Sequence, residues 1–466
     1  MLFERIESKG LAHNSYLIGL DREAVVIDPR RDCDVYIEMT AREGFRIRHI
    51  LETHRHEDYV SGSLELAART GAEIWHADRQ WQYQYGQPVE PSQTWQIGSL
   101  RLEAIHSPGH TPGSMSYLLR HAQGSPWVVF TGDVLFAEDV GRTDLLGQER
   151  LKEMAGLLYD TLYERILPLG DEVTVCPAHG SGSACGAAIA DRPWTNIGYE
   201  RKHNPRLMYA DKGDFIGNVG RMLELPPYFR RMEAINLAGP PVLGPLPSPM
   251  PLTAGEFADK AQGATVLDTR MELGFAAAHV PEALSIWLAG VPRFAGWLLP
   301  YDRPILLVNE ADDVTEATRS LIRMGYDSLA GYLSGGMLSW HKKGLESKSI
   351  GTVTVQGLCR RLDRGEEAWI LDVRSAGELE HVGKVPRGHH IHITQLPERM
   401  AEVPKDRVVY VFCGSGVRSM IAASLLQRQG WRDITVVLGG FAGWSSTRCP
   451  LEPRQAETAW ANLPVF

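Results

Sequence analysis

A short stretch near residue 55 combines residue types that bind metal ions. It reads THRHEDYVSG over residues 53–62, so His54, His56 and Asp58 fall within five residues. Histidines two positions apart converge on one cation only on an extended or looping backbone, where alternate side chains share a face. The apolar run before the stretch predicts a strand and the pattern after it a helix, which places it on a strand-to-helix loop. A polar loop with solvated histidines is the alternative for this stretch alone.

Four further polar segments follow in the first 180 residues. They are HSPGHTPGS (106–114), GD (132–133), GRTD (141–144) and PAHG (177–180). In this order, His-x-His-x-Asp, Pro-Gly-His-Thr, Thr-Gly-Asp and Pro-x-His-Gly resemble the metallo-β-lactamase fold, and the resemblance covers nearly all of residues 1–236. It implies an αββα sandwich, in which two sheets are flanked by helices and loops at one edge bring distant residues into one pocket.

One position departs from the two-metal members of that fold. Hydrolases such as glyoxalase II normally have a histidine directly after the aspartate of the motif, where it binds the second metal. Here that position is Tyr59. Because a phenol is not a usual zinc ligand, we expect a mononuclear site.

Three runs are most similar to the persulfide dioxygenases: ETHRHEDYVSG (52–62), GRTDL (141–145) and CPAHG (176–180). This resemblance implies one Fe(II) per chain, held by His54, His110 and Asp133. Such a 2-His-1-carboxylate face leaves three positions open for oxygen, water and substrate sulfur. Zinc is the alternative metal, in a thioester hydrolase of the glyoxalase II kind.

The remaining histidines and aspartate of these motifs are expected to play supporting roles. His56, Asp58 and His179 would orient ligands and bound water, or mark a vestigial second metal site. For Asp58, capping of the following helix is an equal alternative.

Three basic residues are candidates for binding the substrate. Arg142 would pair either with a substrate carboxylate or with Asp144, and the structural pairing is favoured. Arg201 and Lys202 would either lie over the pocket and steer an anionic thiol, or belong to a solvated face, which is the commoner case.

A single cysteine in the last third of the chain has the setting of a nucleophile. The run VVYVFCGSGVRS (408–419) delivers Cys413 from a predicted strand to a tight loop that opens a helix. Backbone N–H groups and the positive helix end stabilise an anion there, so we expect a lowered pKa and a thiolate or persulfide. Arg418 adds a fixed positive charge. The residues expected to surround the sulfur are Gly414, Ser415, Gly416 and Val417.

The chain beyond residue 251 contains two related copies, roughly 100 residues apart. DTR (268–270) recurs as DVR (372–374), and GGMLSW (335–340) recurs as GGFAGW (439–444). Asp-x-Arg, Gly-x-Val-Pro, Cys-x-x-Gly-x-Arg and Gly-Gly-x-x-x-Trp resemble a rhodanese, a sulfurtransferase that works through a cysteine persulfide. The six-residue loop has the length used for sulfur transfer, whereas related phosphatases carry one residue more. In the first copy Asn309 replaces the cysteine and three carboxylates follow, which predicts a catalytically silent domain.

Composition limits the remaining possibilities. The 466 residues predict about three domains, and the net charge of -9, without a basic run, argues against nucleic acid. No apolar run approaches the ~18 residues of a membrane span. Six cysteines without paired spacing predict no disulfide framework and fit a reducing cytoplasm. The expected division is a first domain (1–238), a proline-rich linker (239–251), a silent rhodanese-like domain (252–347), an active one (348–454) and a tail (455–466).

The combination is similar to bacterial fusions of a persulfide dioxygenase with a sulfurtransferase. It implies oxidation of a low-molecular-weight thiol persulfide by oxygen to sulfite. Cys413 would transfer sulfane sulfur between persulfide and sulfite, making or consuming thiosulfate. We further expect a cytoplasmic homo-oligomer. The alternatives are a zinc thioester hydrolase joined to a sulfurtransferase, and a sensing or scaffold protein with an inactive metal site.

Overall fold

A computed structural model describes residues 1–186, 188–209, 211–447 and 449. The chain divides into two compact units, the first containing Met1–Leu246 with Ile322–Gly325 and the second containing Pro247–Leu321 with Tyr326–Phe466. The break after Leu246 falls inside the predicted linker, while the finer domain limits stay predictions. The predicted tail, 455–466, and residues 450–454 of the last predicted domain lie outside the described residues.

The first unit contains two six-stranded mixed sheets and helices. The first sheet, in spatial order, has β1 (Leu2–Ser8), β2 (His13–Leu20), β3 (Glu23–Ile27), β4 (Arg46–Glu52), β5 (Glu73–His76) and β6 (Gln87–Pro88). The second has β7 (Thr94–Ile97), β8 (Leu100–His106), β9 (Met115–Arg120), β10 (Pro126–Gly132), β11 (Thr174–Pro177) and β12 (Thr195–Asn196). The helices are α1 (Asp34–Glu43), α2 (Ser63–Thr70), α3 (Leu151–Thr161), α4 (Ile197–His203), α5 (Lys212–Val219) and α6 (Phe229–Ala238). A π-helical turn (Leu162–Ile166) and 3₁₀ turns (Leu167–Leu169, Pro205–Leu207) complete the unit.

The two sheets pack face to face because their strands are apolar on both sides. In β2, Tyr16 and Ile18 enter the core between the sheets, while Leu17 points to the opposite face, among residues of α1 and α2. In β9, Leu119 enters the same inter-sheet core and Leu118 packs with residues of α3 and α5. This alternation follows from the two-residue period of a strand. The predicted αββα sandwich is confirmed.

The second unit contains two five-stranded sheets that are parallel throughout. The first, in the order β13-β17-β16-β14-β15, has β13 (Pro251–Leu252), β14 (Thr265–Asp268), β15 (Leu284–Ser285), β16 (Ile305–Val308) and β17 (Leu329–Leu333). The second, in the order β18-β22-β21-β19-β20, has β18 (Gly351–Thr354), β19 (Trp369–Asp372), β20 (Gly388–His390), β21 (Val409–Phe412) and β22 (Ile434–Leu438). The shared order confirms the prediction of two small rhodanese-like parallel α/β domains.

Helices cover both sheets of the second unit. The domain of the first sheet contains the helices α7 (Ala254–Ala261), α8 (Glu272–Ala277), α9 (Val291–Leu298), α10 (Thr315–Arg323) and α11 (Gly336–Lys342), and a 3₁₀ turn at Leu288–Gly290. The domain of the second sheet contains the helices α12 (Val355–Asp363), α13 (Ala376–Val382), α14 (Leu396–Arg399), α15 (Val417–Arg428) and α16 (Gly440–Ser445), and a 3₁₀ turn at Met400–Glu402. No helix among the described residues is long and apolar enough to cross a membrane.

Two of the six cysteines are bonded to each other. Cys359 on α12 and Cys449 form a disulfide, with Cα atoms 5.9 Å apart and a sequence separation of 90. The spacing of the cysteines, from which no disulfide framework was predicted, did not reveal this bond, because its two residues lie far apart in sequence. Both residues belong to one apolar cluster of the last domain. Because two of the cysteines are bonded, the cysteines no longer support the prediction of a reducing cytoplasm.

Candidate metal centre and sulfur-transfer loop

Three chain segments of the first unit bring four ionisable side chains together. His54 and Glu57 follow β4, His110 follows β8 and Asp133 follows β10. One ligand atom from each lies within 4.8 Å of the others, and all four side chains are buried. The geometry therefore joins the three predicted metal ligands and adds Glu57.

Glycine at the end of β10 allows this convergence. Gly132 has φ +55°, and a Cβ there would lie 2.7 Å from Thr53 Oγ1, too close for any side chain. The backbone before Asp133 can therefore pass directly beside the residue that precedes His54.

Hydrogen bonds to the outer ring nitrogens fix how both histidines face the cluster. His110 Nδ1 lies 2.9 Å from the carbonyl oxygen of Arg142, which only accepts, so Nδ1 carries the proton. Thr53 Oγ1 donates to Asp28 at 2.8 Å and so accepts from His54 Nδ1 at 2.8 Å. Both Nε2 lone pairs are left for the cluster, where neither atom has a hydrogen-bond partner. Each histidine is thus oriented by the hydrogen bond of its Nδ1 and has a buried Nε2 without a hydrogen-bond partner. This is the arrangement of histidines that bind a metal ion.

The charges of the cluster are strongly coupled. Burial lowers the pKa of His54 well below its ordinary value, and His56 lowers it further. Burial alone would also lower the pKa of His110, but Glu57 and Asp133 outweigh it and raise that pKa to about 9. Burial opposes ionisation of Glu57, yet His110 brings its pKa down to about 2. The carboxylates thus favour a positive charge at His110, and a cation bound in the cluster would take the place of the Nε2 proton.

His179 links Asp133 to Asp58. Its Nδ1 lies 2.7 Å from Asp133 and its Nε2 lies 2.8 Å from Asp58, so both ring nitrogens can donate. Burial would lower the pKa of His179, but these carboxylates raise it well above the ordinary value. Atoms of Asp58, His179 and Cys185 form a second buried group that could hold a cation. The arrangement suits the predicted supporting role, and a vestigial second site stays an open alternative.

His56 is turned away from the four-residue cluster. Its Nε2 lies 3.0 Å from Asp28 Oδ1, the carboxylate that also accepts from Thr53. Tyr59, at the position where two-metal hydrolases carry a ligand, packs between the rings of His56 and His13 at centroid distances of 4.6 and 4.0 Å. Its buried hydroxyl has no hydrogen-bond partner.

Two of the three basic candidates are held by other contacts, and the third is exposed. Arg142 makes a two-point contact with Asp144 at 2.7 and 2.9 Å, which is the favoured structural pairing. Arg201 pairs with Asp171 at 3.0 Å on an exposed part of α4, and Lys202 is exposed on the same helix. The structure does not bring Arg201 or Lys202 to the cluster, and their substrate role stays a prediction.

The loop from Cys413 to Val417 presents backbone donors to the sulfur. Gly416 N–H lies 3.1 Å from Cys413 Sγ, and the twelve-residue helix α15 begins at Val417. The loop carbonyls point the other way. Those of Cys413, Gly414 and Ser415 accept from backbone N–H groups of Phe441, Ala442 and Gly439 at 2.8, 3.0 and 2.9 Å. The N-terminal end of α15 and the backbone N–H of the loop together can stabilise a negatively charged sulfur atom.

The positive charge of Arg418 is shared with Glu378, a residue that the sequence motifs did not single out. Glu378 belongs to a capping box with Ser375 at the start of α13, and its two oxygens lie 2.6 and 2.7 Å from the Arg418 guanidinium. Burial opposes ionisation of Glu378, but Arg418 outweighs it and lowers the pKa to about 2. The guanidinium is therefore fixed in position beside the loop.

Glu378→Gln should destabilise the last domain at pH 7 by about 1–2 kcal/mol, after allowance for partial exposure. A carboxyl whose folded pKa is depressed stabilises the fold above its ordinary pKa of 4.5, and this contribution is lost as pH falls toward about 2. The difference in free energy of unfolding between parent and variant, measured by calorimetry, should therefore decrease as the pH falls from 4.5 to 2. Glu402→Gln, in an exposed pair with Arg399, is the control. A difference in free energy of unfolding that stays constant down to pH 2 would show that the ion pair of Glu378 with Arg418 does not stabilise the fold.

The first rhodanese-like domain uses its loop donors differently. Asn309 stands where the other copy has Cys413, and its Nδ2 donates to the carbonyl of Asp313 at 2.5 Å. Asp312 accepts from the N–H of Gly335, and Asp313 accepts from the N–H of Thr315, both at 2.9 Å. Side-chain carboxylates of this loop thus accept from one backbone donor at its end, Thr315, and from one before α11, Gly335. This agrees with the prediction of a silent domain, which remains untested.

Family comparisons match both units. The metallo-beta-lactamase superfamily matches residues 8–179, and the rhodanese-like domain matches residues 253–343 and 354–447. The chain therefore belongs to the metallo-β-lactamase superfamily and carries a pair of rhodanese-like domains.

Three individual proteins show which enzymes of these families the chain is similar to. The mitochondrial persulfide dioxygenase ETHE1 of Homo sapiens is 30% identical over 219 residues, 46% of this chain and 77% of the human protein. The hydroxyacylglutathione hydrolase GloC of Haemophilus influenzae is 27% identical over 233 residues, 44% and 98% of the two chains. A sulfurtransferase of Allochromatium vinosum is 30% identical over 102 residues, 22% and 94%. The chain is thus an enzyme-family member with persulfide dioxygenases and a sulfurtransferase among its homologues.

A solved structure supports the fusion. A metallo-beta-lactamase from Staphylococcus aureus has a TM-score of 0.63 and 30% identity, covering 72% of this chain and 98% of that one. This coverage exceeds the first unit, so the similarity extends into the rhodanese-like region.

Proposed function

We propose that the protein oxidises a low-molecular-weight thiol persulfide to sulfite at one Fe(II) and transfers sulfane sulfur through Cys413. The observation that carries the proposal is the buried cluster of His54, His110 and Asp133 with Glu57, which does not include His56. Persulfide dioxygenases among the relatives support the choice of reaction. The balanced oxidation converts persulfide, dioxygen and water into thiol, sulfite and two protons.

The residues present fit the implied metal. His54 and His110 would offer Nε2, and Asp133 a carboxylate oxygen. Bound Fe(II) supplies the redox chemistry that no side chain here can provide. The chain's own part is to orient the ligands through Thr53 and the Arg142 carbonyl, and to keep Asp133 ionised beside His179. Burial of all these groups keeps bulk water from the site.

Cys413 performs the second step of the proposal. Its thiolate attacks the outer sulfur of a persulfide, the sulfur–sulfur bond breaks, and the carrier thiol leaves. Sulfite then attacks the sulfur held on Cys413, which releases thiosulfate and restores the thiolate. The reverse sequence consumes thiosulfate. The Gly416 N–H and the start of α15 stabilise the anionic sulfur in either direction.

Metal analysis combined with oxygen uptake tests the proposal. Full-length protein loaded anaerobically with Fe(II) should hold near one iron per chain and consume oxygen only when a low-molecular-weight persulfide, such as glutathione persulfide, is added. An oxygen electrode and elemental analysis give both quantities. Lack of oxygen uptake by iron-loaded protein with several carrier thiols would refute the proposed function.

A zinc thioester hydrolase joined to a sulfurtransferase is the second candidate. The similarity to GloC and the second buried group of Asp58, His179 and Cys185 favour it. It requires two zinc ions per chain and hydrolysis of a glutathione thioester. The same metal analysis separates the two candidates.

A further inference from the structure

Glu57 occupies a position that the His-x-His-x-Asp pattern leaves unassigned, yet its side chain lies inside the metal cluster. The residue is fully buried, and its Oε1 lies 2.9 Å from His110 Nε2. Its Oε2 has no hydrogen-bond partner. The carboxylate thus faces the same space as the orphaned imidazole nitrogens of His54 and His110.

An ion pair with protonated His110 is the simplest alternative role for this carboxylate. It would require the Nε2–H bond to point at Oε1, yet Nε2 makes no aligned hydrogen bond in spite of the short separation. Cys185 Sγ, at 3.6 Å, is only a weak donor to the same oxygen. Short separation without alignment is the arrangement expected of two ligands that point at a common ion.

Charge balance favours the same conclusion. Two neutral imidazoles with the carboxylates of Asp133 and Glu57 fully offset the charge of a divalent cation. With Asp133 alone as the anionic ligand, the metal would keep one positive charge beside the buried negative charge of Glu57, and direct contact between the two is the more favourable arrangement. Arg142 does not neutralise it, because its guanidinium is engaged by Asp144.

We infer that Glu57 is a fourth protein ligand, which makes the centre a two-histidine, two-carboxylate site. The inference rests on the proposed function only in assuming a divalent metal there. In an octahedral centre, a fourth protein ligand leaves two positions rather than three for molecules from solution. Water therefore has less access to the metal once substrates are bound.

The first test is the affinity of the full-length protein for Fe(II), measured without oxygen or persulfide by competition with a coloured chelator. Glu57→Ala and Glu57→Gln should each weaken binding at least about tenfold, because a charged ligand is lost. Glu57→Asp, which keeps the charge, should bind more tightly than either. Glu65→Gln is the matched control, since this buried glutamate accepts from the N–H of Leu243 away from the cluster. It should bind as the parent does.

Co(II) at saturating concentration gives a readout that does not depend on affinity. Its visible absorption depends on the number and kind of ligands, so the position or intensity of the band should differ between Glu57→Ala, where a carboxylate ligand is lost, and the parent. Circular dichroism of each variant shows that it is folded. Parent-like affinity together with a parent-like Co(II) spectrum in folded Glu57→Ala and Glu57→Gln would overturn the inference.

The result is separable from the fate of the proposed function. If the parent takes up no oxygen with persulfide but its metal affinity depends on Glu57, the dioxygenase proposal fails and the fourth ligand stands. If the parent takes up oxygen with persulfide but neither the metal affinity nor the Co(II) spectrum changes on substitution of Glu57, the dioxygenase proposal stands and the fourth ligand fails. Zn(II) in place of Fe(II) gives the same comparison if zinc is the native metal.

Discussion

Replacing His110 with alanine is expected to reduce persulfide-dependent oxygen uptake of the full-length protein to background. The Nε2 of His110 is oriented into the cluster by its second contact, to the carbonyl of Arg142. Alanine removes one metal ligand and leaves Glu57 and Asp133 facing each other without that imidazole. Loss of a ligand should lower the affinity for iron by at least about a hundredfold. An oxygen electrode and an iron assay on the same sample measure both effects.

The His110→Ala variant should keep its sulfurtransferase activity, because Cys413 lies in another unit. Thiosulfate-dependent sulfur transfer to cyanide, measured in the same preparation, therefore checks that the second unit is folded, and circular dichroism checks the folding of the whole chain. His121→Ala is the matched control, since this histidine stacks on Trp127 and belongs to no ligand group among the described residues. Oxygen uptake by iron-loaded His110→Ala at the parent rate would refute the assignment of this ligand.

Cys413→Ser should have the reciprocal effect. Serine keeps the shape of the side chain, but its hydroxyl is not ionised near neutral pH and cannot carry sulfane sulfur. Sulfur transfer from thiosulfate should fall at least about a thousandfold, as expected when a nucleophile is removed. Oxygen uptake with persulfide should remain at the parent rate, and its product should be sulfite without thiosulfate.

Mass spectrometry adds a direct observation to this comparison. The parent incubated with thiosulfate should gain the mass of one sulfur atom on the peptide that contains Cys413. Cys33→Ser provides the control, because Cys33 is an unpaired buried thiol of the first unit. Sulfur transfer that survives in Cys413→Ser, or sulfur found on another cysteine, would refute the role of Cys413.

Local periodicity predicted individual strands and helices, and the resemblance of the motifs to the metallo-β-lactamase fold predicted their arrangement. The strand that carries Tyr16, Leu17 and Ile18 alternates between two apolar faces, which requires a layer on each side of the sheet. The repeated motifs likewise predicted two similar domains, and their sheets have the same strand order. The three proposed ligands could be named because their loop motifs resemble those of the persulfide dioxygenases, since residue types alone do not separate them from His56, Asp58 and His179.

Three features escaped prediction because they depend on where side chains meet. Glu57 is a neighbour of ligands in sequence, but only the folded loop decides whether it points inward, and its acidic side chain inside the motif was the available signal. Glu378 reaches Arg418 from a helix some 40 residues away. Cys359 and Cys449 are paired across most of a domain. None of these pairings has a local pattern.

The outward-turned carbonyls of the Cys413 loop have a consequence for what the protein can tolerate as substrate. With three carbonyls tied to the start of α16, these oxygens are engaged elsewhere, and the Gly416 N–H donates to the sulfur. A sulfur atom beside a backbone donor, with the loop carbonyls bound to other groups, is stabilised as an anion. A molecule whose sulfur arrives as an anion should then be favoured as substrate.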